Sequence, residues 1–257
     1  MINISPNSIL FEIGQFKIHW YGLIIVLAIL VAITVINKLA KEKKYNIEKL
    51  ENLYFYVIIF GLIGARVYEV LFFNWDYYQN HLEDIFKIWN GGLAIQGTIL
   101  FGVITVYIFC KRNKLVFWKY ADLLSLGLIL GQALGRWGNF FNQELYGQVS
   151  NLPWAIYIER TANFHQPLFL YESTLDLILF FILLKLFKKG YFNGFITLLY
   201  LSGYSLIRFC MEFLRIDSAP LILGIRLPQL VSFIVIIVSI ILLVLQKKGF
   251  KNELNVC

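Results

Sequence analysis

The chain has 257 residues, of which 59% are hydrophobic and 15% charged, with a formal net charge of +7 and a mean hydropathy of +0.68. Soluble globular domains carry about 25% charged residues, so this composition excludes that class and points to a polytopic membrane protein. The basic excess does not mark a nucleic-acid binder, because the lysines and arginines are segregated between loops rather than gathered on one face, which is the pattern of membrane topology.

Crossing a hydrocarbon core of about 30 Å takes roughly 20 apolar residues. In chain order such runs fall at approximately 20–37, 53–73, 92–110, 116–137, 168–187, 195–214 and 228–246. They predict an all-α membrane protein of about seven transmembrane helices. The residues before the first run are expected to lie along the outer surface; the first lysine is Lys17, so no basic region of a cleaved signal peptide precedes it. The loop after the first run, NKLAKEKKYNIEKLEN, carries five lysines, and KRNK, KKG and KKGFK follow the third, fifth and seventh runs. Those loops are expected to be cytoplasmic. NWDYYQNHLEDIFKIWN, with one lysine against three acids, belongs outside. The amino terminus is therefore expected outside and the carboxyl terminus in the cytoplasm. With no internal repeat or long linker, residues 1–257 are expected to form one membrane domain whose larger outer loops are 74–91 and 138–167.

Cys110 and Cys257 fall on the cytoplasmic side and Cys210 within the sixth run, which suits no disulfide. His19, His81 and His165 are scattered and read as interfacial side chains, and no spacing in the chain suits a metal site. The charges inside the runs carry more information. An arginine at the bilayer centre costs about 2.5–3.5 kcal/mol on insertion scales, so such residues face a partner or a cavity. They are Arg66 and Glu69 in LIGARVYEVLFF, Arg136 in LGRWGNF, Glu172 in PLFLYES, and Arg208 and Glu212 in SLIRFCMEFLR. Lys119 and Asp122, near the cytoplasmic end of the fourth run, are expected to snorkel.

Tyr204, Arg208 and Glu212 recur every four residues with Arg215 three further on, one stripe of a helix. A structural Arg208–Glu212 ion pair is one reading. The other is a ligand site, since arginines from three separate runs suit an anionic group, and a guanidinium fork matches a pair of phosphate oxygens. A phospholipid head group is the simplest such ligand. Gly131, Gly135 and Gly138 lead into the polar residues that follow, which implies a helix end opening to the outer surface.

GRWGNFFNQELYG, at 135–147, resembles the signature of prolipoprotein diacylglyceryl transferases. WYGL at 20–23, GAR at 64–66, NGGLAIQG at 90–97, PLFLYES at 167–173 and YSLIRFCMEFLR at 204–215 match further motifs in the family's order. The resemblance implies a multi-pass enzyme of the bacterial cytoplasmic membrane. Such an enzyme moves the sn-1,2-diacylglyceryl group of phosphatidylglycerol to the lipobox cysteine thiol of a prolipoprotein signal peptide. A thioether forms and glycerol phosphate leaves, with no cofactor and no metal. By the same resemblance the catalytic group is Arg136, Arg208, Glu144 and Glu212, with the two arginines on the phosphate and glycerol and Glu212 orienting Arg208. Tyr21, Arg66, Gln96, Asn139, Asn142, Gly147 and Tyr204 would bind the substrate, Gly147 by setting a turn; Tyr171 and Glu172 also match family positions.

The chain departs from the family at Gln96, where many members have a histidine favoured as base. Glutamine cannot take a proton at neutral pH, which leaves Glu144, Glu212 or a phosphate oxygen of the substrate for that step. His165 is shifted from the position the family often uses. Two other classes share the buried arginines: an anionic-solute transporter, which would more often show repeat symmetry, and a non-catalytic lipid-binding paralogue.

Overall fold

The computed structural model describes residues 6–14, 16–217, 219–222 and 224–254. An antiparallel hairpin, β1 (Ile9–Ile13) and β2 (Phe16–His19), leads into α1 (Trp20–Glu42). Next come α2 (Ile47–Tyr68), which ends in a π-helical turn at Glu69–Phe73, and the short α3 (Trp75–Tyr78). Two 3-10 turns at Leu82–Phe86 and Ile88–Asn90 connect to α4 (Ile95–Arg112), and α5 (Phe117–Phe141) follows. The hairpin of β3 (Ile156–Ile158) and β4 (Asn163–His165) precedes α6 (Leu168–Lys189) and α7 (Phe195–Glu212). A last hairpin, β5 (Leu221–Ile222) and β6 (Ile225–Arg226), opens into α8 (Leu227–Leu254). The chain is thus mostly helical, and the three hairpins, which hydropathy does not predict, lie outside the long helices.

Four helices are long and apolar enough to cross a membrane by length and composition: Trp20–Glu42, Ile47–Phe73, Ile95–Arg112 and Leu227–Lys247. Their exposed surfaces carry large aliphatic side chains such as Leu30, Ile99 and Ile240. In water such a continuous apolar surface would drive association; against lipid it is matched. The other long helices, α5, α6 and α7, hold Arg136, Glu172, Arg208 and Glu212.

The described residues cluster into two compact units, one comprising the segments up to Lys38 and from Asp122 onward, the other Leu39–Ala121. In the second unit α2 and α4 cross at bare backbone. A Cβ on Gly97 would stand 2.0 Å from the Gly64 carbonyl oxygen, so that crossing admits only glycine. Helix α2 begins at Ile47, ahead of the apolar run at 53, because the Asn46 side chain caps it by accepting from the Lys49 backbone N–H at 2.9 Å. Helix α4 begins at Ile95 rather than 92 because Gly91 and Gly92 take φ of +85° and +73°, which no helix accommodates. Lys119 does not simply snorkel: its ammonium lies 4.7 Å from the centre of the Tyr45 ring.

In the first unit α1 packs along α5 through glycines. A Cβ on Gly127 would meet Ile36 Cδ1 at 2.1 Å, one on Gly135 Ile25 Cδ1 at 3.2 Å and one on Gly138 the Tyr21 ring at 2.6 Å. These glycines let a neighbour approach and do not break the helix. Helix α5 therefore continues past the expected end at 137 to Phe141 and stops where Gln143 and Leu145 take φ of +51° and +54°. Asp122 is buried rather than snorkelling. Its carboxylate accepts from the backbone N–H of Gly194 and Thr197, both at 2.7 Å, and from the Thr197 hydroxyl at 2.8 Å, which satisfies the first turn of α7. His165 is buried too, with Nδ1 2.7 Å from the Gly147 carbonyl and Nε2 2.8 Å from the Thr161 hydroxyl. It fastens the 147–165 segment and is not interfacial. Cys110 is buried and Cys210 exposed, both unpaired; Cys257 lies outside the described residues.

Candidate functional site

Helices α5, α6 and α7 bring their charges together on one carboxylate. Glu172 accepts Arg136 Nη2 of α5 at 2.6 Å on Oε2 and faces Arg208 Nη1 of α7 at 3.5 Å on Oε1. Arg208 turns its other terminal nitrogen to Glu212 Oε2 at 2.9 Å, one turn along its own helix. Glu212 also holds Arg226 Nε at 3.2 Å, and Arg226 donates to the Glu212 and Arg215 carbonyls at 3.0 and 2.9 Å. Arg215 pairs with Asp217 and lies 4.0 Å from Glu212. The result is a chain of alternating charge, Arg136–Glu172–Arg208–Glu212–Arg226, built from three helices and the β5–β6 hairpin.

Its depth profile decides what it can do. The Glu172 and Glu212 side chains are 2% exposed, whereas Arg136 and Arg208 are 19% and 21% exposed. The carboxylates are the more deeply buried and hold the guanidinium groups, whose side chains keep partial exposure. A guanidinium stays charged when desolvated and has five donors in a planar fork, more than the carboxylates consume. Such a surface can take an anionic oxygen pair. Tyr204 adds its hydroxyl, which accepts from Arg136 Nη2 at 3.2 Å. Its ring stacks on Tyr200, whose hydroxyl donates to Gln132 at 3.1 Å. Tyr21, on α1, lays its ring against Gly138, two residues after Arg136.

Beyond Arg136 the polar residues form a second small arrangement. Asn139 donates its amide to Glu144 Oε2 at 3.2 Å, Asn142 faces Glu144 Oε1 at 3.5 Å, and the Glu144 backbone N–H bonds the Asn139 carbonyl at 2.8 Å. Two amides thus aim an exposed carboxylate at the end of α5. Gly147 does not make a left-handed turn. It pairs with Arg215 in an isolated antiparallel bridge, and a Cβ there would stand 3.0 Å from the Leu214 carbonyl. A side chain at 147 would crowd the Leu214 backbone, which would have to give way slightly. Tyr171, one residue before Glu172, accepts from the Trp154 indole N–H at 2.7 Å.

Arg66 and Gln96 belong to the other unit. Arg66 Nε donates to the Ile85 carbonyl at 2.9 Å, Nη1 to Gly91 and Gly92 at 2.7 and 2.8 Å, and Nη2 to Asp84 at 2.5 Å. Its plane also lies over the Tyr78 ring at 5.0 Å. The guanidinium ties the 84–92 loop to α2, and a direct ligand contact would have to displace those carbonyls. Gln96 is exposed in the first turn of α4, just after that loop.

The sequence reading did not foresee the importance of Glu172 as the shared partner, and it passed over Arg226 and Asp176. Asp176 follows Glu172 by four residues, the same spacing that drew attention to Arg208 and Glu212; that was the available signal. Arg226 had none, because it reaches Glu212 from a hairpin outside any apolar run.

A set of arginines clamped between helices fits what related sequences are. The family described as prolipoprotein diacylglyceryl transferase matches residues 8–245. A Trichormus variabilis protein named phosphatidylglycerol–prolipoprotein diacylglyceryl transferase is 43% identical over 243 residues, 89% of this chain and 85% of its own. A Finegoldia magna protein of the same name is 43% identical over 244 residues, covering 94% and 96% of the two chains. One from Thermotoga maritima is 41% identical over 247 residues, covering 92% and 83%. The match runs through the Arg136, Glu172 and Arg208 segments alike, and the chain belongs to the prolipoprotein diacylglyceryl transferase family.

Proposed function

We propose that this chain transfers the sn-1,2-diacylglyceryl group of phosphatidylglycerol to the lipobox cysteine thiol of prolipoproteins, the first step of bacterial lipoprotein maturation. It acts as one multi-pass domain of the cytoplasmic membrane, its seven long helices crossing with the amino terminus outside. The observation that carries the reading is the pair Arg136 and Arg208 held on one buried carboxylate and both left partly exposed.

In the reaction the thiol sulfur bonds the glyceryl carbon while the bond from that carbon to the phosphate oxygen breaks. Negative charge grows on the departing phosphate, and fixed guanidinium groups in a low-dielectric site stabilise it without reorganising. Arg136 and Arg208 take that role; Glu212 and Glu172 hold Arg208, and Arg136 rests on Glu172 in this structure. Asn139, Asn142, Tyr21 and Tyr204 place the glycerol around them, and Gly147 lets the 214–215 backbone close on the site. The thiol must lose its proton, since the thiolate is the nucleophile. Glu144, exposed and held by two amides, is better placed to take that proton than Glu212, which is buried among arginines. Arg66 contributes by shaping the loop that leads to Gln96.

The test is the mass of a lipobox peptide incubated with the purified protein and a lipid. Phosphatidylglycerol should add one diacylglyceryl unit to the peptide cysteine, and zwitterionic phosphatidylethanolamine little or none. A protein that never modifies the peptide under these conditions is not this enzyme.

A further inference from the structure

One buried carboxylate has no part in the network described above. Asp176 is 0% exposed, and neither of its oxygens has a hydrogen-bond partner. A bare carboxylate in that position is costly, because burial strips its hydration and nothing replaces it. Its surroundings are defined by its helix. Asp176 stands one turn from Glu172 on the same face of α6, and the Ser173 hydroxyl between them donates to the Ala133 carbonyl of α5 at 2.8 Å. That bond aligns α6 with the α5 turn just before Arg136. Arg136 pairs with Glu172, one turn along α6 from Asp176. Arg136, Glu172, Tyr200 and Tyr204 are the ionisable groups in its electrostatic field.

Arg136 has a complementary defect. Its Nη2 is taken by Glu172 and Tyr204, but its Nε is buried and unpartnered. A donor without an acceptor and an acceptor without a donor thus lie in one electrostatic neighbourhood, on facing helices. We infer that Asp176 is a second berth for Arg136, occupied when an anionic head group is captured. In this structure Arg136 rests on Glu172. When a phosphate oxygen takes the Nη edge, the guanidinium turns, its Nε–H closes on Asp176, and its charge stays compensated while Glu172 keeps Arg208. No covalent bond is made or broken. Asp176 touches no substrate and acts through Arg136, as a positioning residue. The inference rests on the phosphatidylglycerol reading given above.

The experiment measures phosphatidylglycerol binding to the purified full chain in nanodiscs, with peptide transfer assayed in parallel, for the parent, Asp176→Asn and Asp176→Glu. Asparagine keeps the shape and loses the charge; glutamate keeps the charge. A charge-assisted bond made only in the lipid-bound state predicts that Asp176→Asn weakens binding about ten- to a hundredfold and that Asp176→Glu recovers most of it. A packing role would leave Asp176→Asn binding as the parent does, and that result overturns the inference while parent transfer upholds the enzyme assignment. A parent that neither binds the lipid nor modifies the peptide overturns both. Should Asp176→Asn fail to insert, parent protein carrying carboxyl-labelled aspartate gives the same answer by infrared difference spectroscopy. Phosphatidylglycerol should shift a buried aspartate carboxylate band, and an unchanged aspartate spectrum sinks the second berth.

Discussion

Arg136 and Arg66 are both arginines in apolar helices, and the structure uses them in opposite ways. Arg136 rests on the Glu172 carboxylate at 2.6 Å and stays partly exposed, whereas Arg66 is 7% exposed and donates to a ring of backbone carbonyls. A side-chain carboxylate on a neighbouring helix compensates charge from one side and leaves the rest of the fork for another anion. Carbonyls from a surrounding loop use the fork on every edge and fix the loop in return. The nature of the partner, more than burial itself, separates an arginine with donors to spare from one whose donors are all used.

The comparison can be broken most sharply at Glu172. Replacing it by Gln removes the one carboxylate shared by Arg136 and Arg208, and breaking a buried pair in this way costs about 3–5 kcal/mol. Glu172→Gln should therefore lose transfer and unfold at a clearly lower temperature in detergent; parent-like stability and rate would mean that the arginines are held by something else.

Arg136→Lys should insert normally yet lose about ten- to a hundredfold in transfer rate, since it keeps the charge and loses the fork. Arg66→Lys separates the two regions. A single ammonium cannot reach carbonyls on all sides, so the 84–92 loop should become sensitive to protease while transfer falls less than it does for Arg136→Lys. Equal losses at 66 and 136 would erase the distinction drawn here.

Glu212 sharpens the first region further. Because it serves Arg226 as well as Arg208, Glu212→Gln should destabilise the chain more than Arg208→Gln, read as the order of their unfolding temperatures. An Arg208→Gln, Glu212→Gln double variant should remain inactive, since the pair does more than neutralise itself.

The smallest effect concerns the second region and pH. The Lys87 ammonium, 2.7 Å away, and the Tyr77 hydroxyl hold the Asp84 carboxyl below the usual carboxylate range. A group whose pKa is lowered by folding contributes order that is present above its unfolded pKa and lost as pH falls through its folded one. Loop protease sensitivity should therefore stay flat through neutral pH and rise only in acid. Asp84→Asn should flatten that acid rise.

The positions of the long helices were readable from hydropathy because each depends on a local run of apolar side chains, and their ends moved where a local cap or a glycine φ intervened. Asn46 pulled α2 forward, Gly91 and Gly92 delayed α4, and Gly138, expected at a helix end, turned out to be the seat of the Tyr21 ring. The Arg208–Glu212 stripe was visible as a four-residue period. By contrast, the Arg136–Glu172 and Glu212–Arg226 pairs join residues on different elements, and no period within either element encodes them.

By itself the sequence determined the membrane class, the long helices, the GRWGNFFNQELYG signature and which charges had to be accounted for, because hydrophobicity and helical spacing act over a few turns of one chain segment. Only the tertiary structure decided that Glu172 is the partner shared by Arg136 and Arg208, that Arg66 serves a loop, and that Asp176 is buried without a bond. Those outcomes follow from which helices face each other, and an ion pair's energy depends on distance and desolvation, neither of which is a property of a segment read alone.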